Sequence, residues 1–132
     1  MAALNQAHAN NLIDGSLATA AFTASTAPIR CRLMTANGTA TAAGTELATS
    51  GGYTSGTGAP SVTFAAAASG SAASNSAVTV TNMPATTIVG VELWDSAGTP
   101  IRKWFGALTA SKTTNSGDTF SIASGSLTAA LS

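Results

Sequence analysis

The chain is short of almost everything that usually announces a function. Only 8% of its 132 residues are charged, five basic against five acidic, so the formal net charge is zero. Without a basic excess there is no electrostatic footprint for nucleic acid. The single cysteine, Cys31, cannot close an internal disulfide and reads as a small buried hydrophobe. Cys31 and the single histidine, His8, have no spaced partners, so no metal set and no bound cofactor is expected. The apolar runs, such as Ala65 to Ala68, fall far short of the ~20 residues a spanning helix needs, which argues against a membrane. The opening MAALNQAHANN lacks a basic stretch followed by an apolar one, and so does not read as a secretory signal. Large apolar residues are scarce too: Leu, Ile, Val and Phe number 23 of 132. That falls below the ~20% at which disorder becomes an issue, but disorder also requires a high net charge.

What fills the chain instead is small residues. Ala, Thr, Ser and Gly, at 29, 21, 16 and 13, make up 79 of the 132 positions. A weakly charged Thr- and Ala-rich chain with a thin core implies a β-rich protein that gains stability by packing against copies or neighbours. The length suits one domain with an extended arm.

Ala2 to Leu17 is the best helix candidate, with Leu4, His8, Leu12 and Ile13 near one face and Gly15 placed to cap its end. Asn10 and Asn11 weaken it in isolation, so it is expected to dock on a neighbouring subunit or on its own sheet. Ala18 to Pro28 reads as a linker. Pro28 to Met34 alternates as a strand, with Ile29, Cys31 and Leu33 on one side and Arg30 and Arg32 on the other. Asn37-Gly38 is a turn signal. Thr39 to Pro60 is a long Gly/Thr/Ala connection anchored by Glu46-Leu47 and Tyr53, expected to be ordered by contacts.

Ser61 to Ala65 and Ala77 to Thr81 are further strand candidates, separated by a low-complexity turn region from Ala66 to Ser76. The clearest element is a hairpin, Thr87 to Trp94 and Ile101 to Leu108 around the polar turn Asp95 to Pro100. Its expected core face is Val89, Val91, Leu93, Ile101 and Phe105. Glu92 and Asp95 can pair with Arg102 or Lys103 at an exposed site, worth ~0.2–1 kcal/mol. Gly90 and Gly106 inside these strands suggest a bulge or the close approach of another group. Thr119 to Ile122 is a last short strand, and Leu127 to Leu131 a tail. Six or more short strands without intervening helices predict an all-β fold, a small β-sandwich or jelly-roll-like barrel with an N-terminal helical arm. The organisation reads as residues 1–28 arm, 29–124 sandwich and 125–132 tail.

No reaction is visible in the pattern. His8 lies in the arm among asparagines, without the oriented nucleophile that a Ser/His/Asp site needs. Glu92 and Asp95 have basic residues opposite them and read as paired rather than as an acid/base couple. The glycine pairs lack the Lys and the strand-to-helix setting of a phosphate loop. Tyr53, Trp94 and Trp104 could form a carbohydrate platform, but two tryptophans in one hairpin read better as core or interface anchors. Leu4, Leu12, Ile13, Tyr53, Trp94, Trp104 and Phe105 are therefore the structural and interface candidates.

The block Val89 to Asp95 and Ile101 to Leu108, with Arg32 to Thr39 and the Gly51-Gly52-Tyr53 element, resembles small virion proteins of tailed bacteriophages, especially phages of actinobacteria. The resemblance covers roughly Ile29 to Ile122. It implies a non-enzymatic structural protein of the virion: a capsid decoration protein on the major capsid protein lattice, most simply as a homo-oligomer such as a trimer. The alternative it implies is a minor tail or tail-fibre-like protein. A carbohydrate- or host-surface-binding module is the alternative from another class.

Overall fold

The computed structural model describes residues 2–131. It is an all-β fold of packed antiparallel sheets with one helix near the N-terminus. The strands are β1 (Ala3–Leu4), β2 (Ile29–Ala36), β3 (Thr45–Glu46), β4 (Ser61–Val62), β5 (Ser71–Ala73), β6 (Val78–Met83), β7 (Thr86–Trp94), β8 (Arg102–Thr114), β9 (Asp118–Ile122) and β10 (Thr128–Ala130). The main sheet runs β1-β8-β7-β2-β3, with β4 also on β2. Two smaller pairs, β6-β9 and β5-β10, complete the body.

The expected hairpin is the spine of the main sheet, and alternation along β2 and β7 builds the core. Cys31 and Leu33 lie opposite Leu93 and Val91, so all four share one face. That face packs on Val78, Val80 and Met83 of β6 and Phe120 of β9, all buried. Leu47, Tyr53, Ala59 and Val62 join the same cluster, so the long connection is ordered by burying its few large residues. Each apolar side chain removed from water contributes about 1.5–3 kcal/mol, which is how 23 large aliphatic and phenyl side chains suffice.

Two irregularities in the hairpin revise the expected core face. The β7–β8 register shifts between Leu93 and Trp94: Leu93 faces Trp104 while Trp94 faces Arg102, leaving Lys103 as the extra residue. One extra residue reverses the facing of everything beyond it. Trp104 therefore takes the core side, and Phe105, opposite Glu92, lies on the other face. Ile101 is 43% exposed and belongs to no core. A second shift between Ile88 and Gly90 turns Ile88 inward and leaves Val89 half-buried. Gly90 also admits another group closely, since a Cβ there would overlap the Asn37 side chain and crowd the Gly106 carbonyl.

The N-terminal segment differs from expectation in extent, and of the two expected docking surfaces it takes its own sheet. The helix α1 spans Gln6–Ser16, and the preceding residues form β1, which pairs with β8 through Ala3–Phe105 and Leu4–Trp104. Asn5 sets the start, its side chain accepting from the Ala7 and His8 amides. Gly15 is helical. The end is a Schellman closure, with the Thr19 amide donating to Asp14 O at 3.0 Å and Ala18 at φ 56°. The lack of a Cβ at Gly15 instead lets Phe22 pack directly against the helix, and Asn11 fastens the returning chain through the amide and carbonyl of Thr23. The low-complexity region holds β5 and the tail holds β10, each a partner the other needs. β1 and β10 thus lie outside the 29–124 span.

Candidate functional site

The main sheet's second face carries a buried ionic layer. Arg102 Nη1 donates to Glu92 Oε1 at 2.9 Å, and both side chains are almost fully enclosed. The cover is the segment 37–44, which folds back over the face. Arg102 donates to the carbonyls of Thr39 and Ala42 at 2.6 and 2.8 Å, and the Gly44 amide donates to Glu92 Oε1 at 2.8 Å. Trp94 Nε1 donates to Glu92 Oε2 at 3.0 Å. The Arg32 guanidinium lies 4.0 Å from the Trp94 ring centroid and pairs with Glu46 at 3.4 Å. Glu46 Oε1 in turn accepts from the Tyr53 hydroxyl at 2.7 Å and the Gly56 amide at 2.8 Å. One connected network therefore runs from β8 across β7 and β2 to the long connection. Each charge in the network has an ionic partner, and the one buried donor left unpaired among the described residues of the network is Arg32 Nε.

Both hairpin pairings read from the sequence form, but in the interior rather than in solvent. The second is Lys103 with Asp95 at 3.5 Å, again with both side chains buried. Burial alone pushes the Asp95 carboxyl up, but the Ile101, Thr26 and Ala97 amides and the Lys103 ammonium outweigh it and hold the pKa below the ordinary carboxylate value. Burial pushes the Cys31 thiol up to about 12. It also pushes the Tyr53 phenol well up, assisted by the neighbouring Glu46.

The candidates fall into three environments. Tyr53 is 1% exposed and its hydroxyl bridges the Leu33 amide and Glu46. It is therefore withdrawn from any aromatic surface platform. Trp94, Trp104 and Phe105 are half-buried: Trp94 under Arg32, Trp104 against the core, and Phe105 with the Arg102 guanidinium 5.0 Å from its ring. Leu4 and Leu12 are half-buried on the arm, while Ile13 is 55% exposed. The sequence reasoning missed the companions of Ile13. Leu17, one turn further along at the end of α1, is 68% exposed, and Phe22 is 50% exposed. Leu17 was detectable by its four-residue spacing from Ile13, and Phe22 as the sole large side chain of the linker. The arm thus presents an outward apolar flank, while its inner side carries the buried His8.

An apolar cleft of about 380 Å³ separates the main sheet from the β5–β10 pair, lined by Ile29, Phe64, Leu93, Trp104 and Leu131. An adjoining cleft of about 340 Å³ shares Phe64 and Leu93 with it. The described chemistry is thus that of a packed scaffold with uncovered apolar surface at one end.

Internal ion pairs staple the strands of this scaffold, and its exposed large apolar residues, among the described residues, are Ile13, Leu17 and Phe22 on the arm with Ile101 and Leu131 elsewhere. The chain belongs to the family described as podophage GP4 fiber I protein gp80, whose sequence profile matches residues 3–130. It is accordingly a bacteriophage virion structural protein. The match fits the tail-fibre-like alternative better than the capsid-decoration reading, and it does not single out phages of actinobacteria. No curated protein matches the chain.

Proposed function

We propose that this chain is a structural subunit of a podophage tail fibre that acts by binding its neighbours and carries out no reaction. The supporting observation is the extent of the family match, 3–130, which takes in the arm, the sandwich and the last strand together. The reading therefore concerns the whole body rather than a shared fragment. The geometry is consistent with it. Ile13, Leu17 and Phe22 stay exposed on a rigidly capped arm, and burying them against a partner would stabilise an assembly by roughly 25 cal/mol per Å² of apolar surface. The partners we propose are further copies of the chain, a trimer being the simplest count, and the virion component on which the fibre stands.

Immunogold electron microscopy of intact virions with antibody raised against the purified chain tests the assignment. Label along the tail fibres is expected. Label distributed over the head would return the decoration reading on the major capsid lattice, and virions without label would remove both.

A further inference from the structure

We propose that His8 is a pH-sensitive latch that holds the N-terminal arm on the sheet when neutral and releases it on acidification. The arm is attached lightly. β1 pairs over two residues; the Ala2, Asn5 and Gln6 amides donate to Thr128 O, Lys103 O and Ala40 O at 3.1, 3.0 and 2.9 Å, and Asn5 Nδ2 donates to Ala40 O at 3.2 Å. Behind it, the strap from Leu17 to Pro28 is exposed at every position; Thr23 is tied to Asn11 of the arm, and Thr26 to Asp95 and Ser96 of the body. His8 is the sole buried residue of α1, 8% exposed, and its Nδ1 is enclosed without a hydrogen-bond partner.

The charged groups around His8 decide what a proton there would meet. Lys103 of β8 and Asp95 of the β7–β8 turn are the charged groups whose fields reach it. The strap and the 37–44 segment contribute no charged residue. Arg102, the other cation at this end of β8, is committed to Glu92 and the 39–42 carbonyls. On α1 itself Asp14 lies near the far end and accepts from the Thr19 hydroxyl at 2.9 Å. A proton on His8 is thus opposed by the Lys103 ammonium. The one nearby carboxylate is already taken by Lys103 and the Thr26, Ala97 and Ile101 amides.

Burial first, then Lys103, lowers the imidazole pKa of the docked arm, and Asp95 offsets this only in part. In a released arm His8 returns to the ordinary value of about 6.5. For a base with a depressed bound-state pKa, docking is at full strength above the released value and weakens as pH falls below it, by up to about tenfold per unit. Asp95, whose carboxyl is depressed, keeps its contribution until the pH falls below the ordinary carboxylate value near 3.8. The interval between about 6.5 and 4 therefore separates His8 from Asp95. Release uncovers β8 at Trp104 and Phe105, an edge able to accept another strand.

Amide hydrogen exchange read at Asn5, corrected for the intrinsic rate, tests the latch on the full chain. Protection should fall between pH 7.5 and 5.5 in the wild type, by up to about tenfold, and stay level in His8→Gln. A level wild-type profile, or a His8→Gln protein that keeps the pH dependence, overturns the proposal. If His8→Gln fails to fold, an NMR titration of the wild-type imidazole decides. A pKa below 6.5 supports the latch, and one at or above 6.5 overturns it.

Discussion

Glu92 and Arg102 each place a charge where water cannot reach it, so neither can be removed alone without stranding the other. Glu92→Gln should cost about 3–5 kcal/mol in denaturant unfolding, and Arg102→Met a similar amount, because each leaves an uncompensated buried ion. The double variant should be milder than the sum, a coupling that a double-mutant cycle reads directly. Cys31 offers a check without mutation. With its thiol pushed up to about 12 and no exposed surface, it should ignore thiol reagents at pH 8 in the folded state. It should react stoichiometrically once the protein is unfolded. These partners were nameable from the hairpin sequence, and their burial was not. Arg102 and Glu92 are enclosed because residues 37–44, distant in sequence, lie on top of them.

At the scale of elements, the hairpin needs glycine at position 90 because other groups approach it closely. Gly90 sits beneath Asn37 and beside the Gly106 carbonyl, so Gly90→Ala should destabilise by about 1–3 kcal/mol through overpacking, seen as a lower melting temperature. The arm is a second element-level case. Removing residues 1–16 takes away the β8 edge partner and the backbone bonds to Lys103 O, Ala40 O and Thr128 O. At about 1 kcal/mol per bond, plus the packing of Leu4 and Leu12, a loss of about 3 kcal/mol in chemical denaturation is expected, with the sandwich still folded. Periodicity marked the helix and its buried His8. It could not show that Ala3 and Leu4 are strand, because a two-residue strand has no period and exists only through its partner Phe105–Trp104. β5 and β10 escaped notice for the same reason: Ser71–Ala73 and Thr128–Ala130 carry no β-forming pattern and define each other.

For the whole molecule, the exposed apolar flank of the arm bears on how it can assemble. If Ile13, Leu17 and Phe22 seat a neighbour, sedimentation of the purified chain should show an oligomer. Replacing all three with Ser should shift it to monomer while the melting of the body stays within about 1 kcal/mol, since these side chains are half exposed or more. An oligomer unmoved by the triple change would place the contact elsewhere.

The amino-acid sequence by itself determined the class of this protein: a nearly uncharged chain of small residues whose few large ones alternate along β2, β6 and β7 has no stable option but packed sheets. It also named the four charges that pair, since Glu92, Asp95, Arg102 and Lys103 flank one turn; which acid meets which base came from the fold. Only the tertiary structure decided that Trp104 rather than Phe105 faces the core, because a single-residue bulge reverses side-chain parity and leaves no trace in hydrophobic alternation. It alone decided that the arm lies on its own sheet and turns Ile13, Leu17 and Phe22 outward, because burial depends on which surfaces meet and not on which residues are apolar.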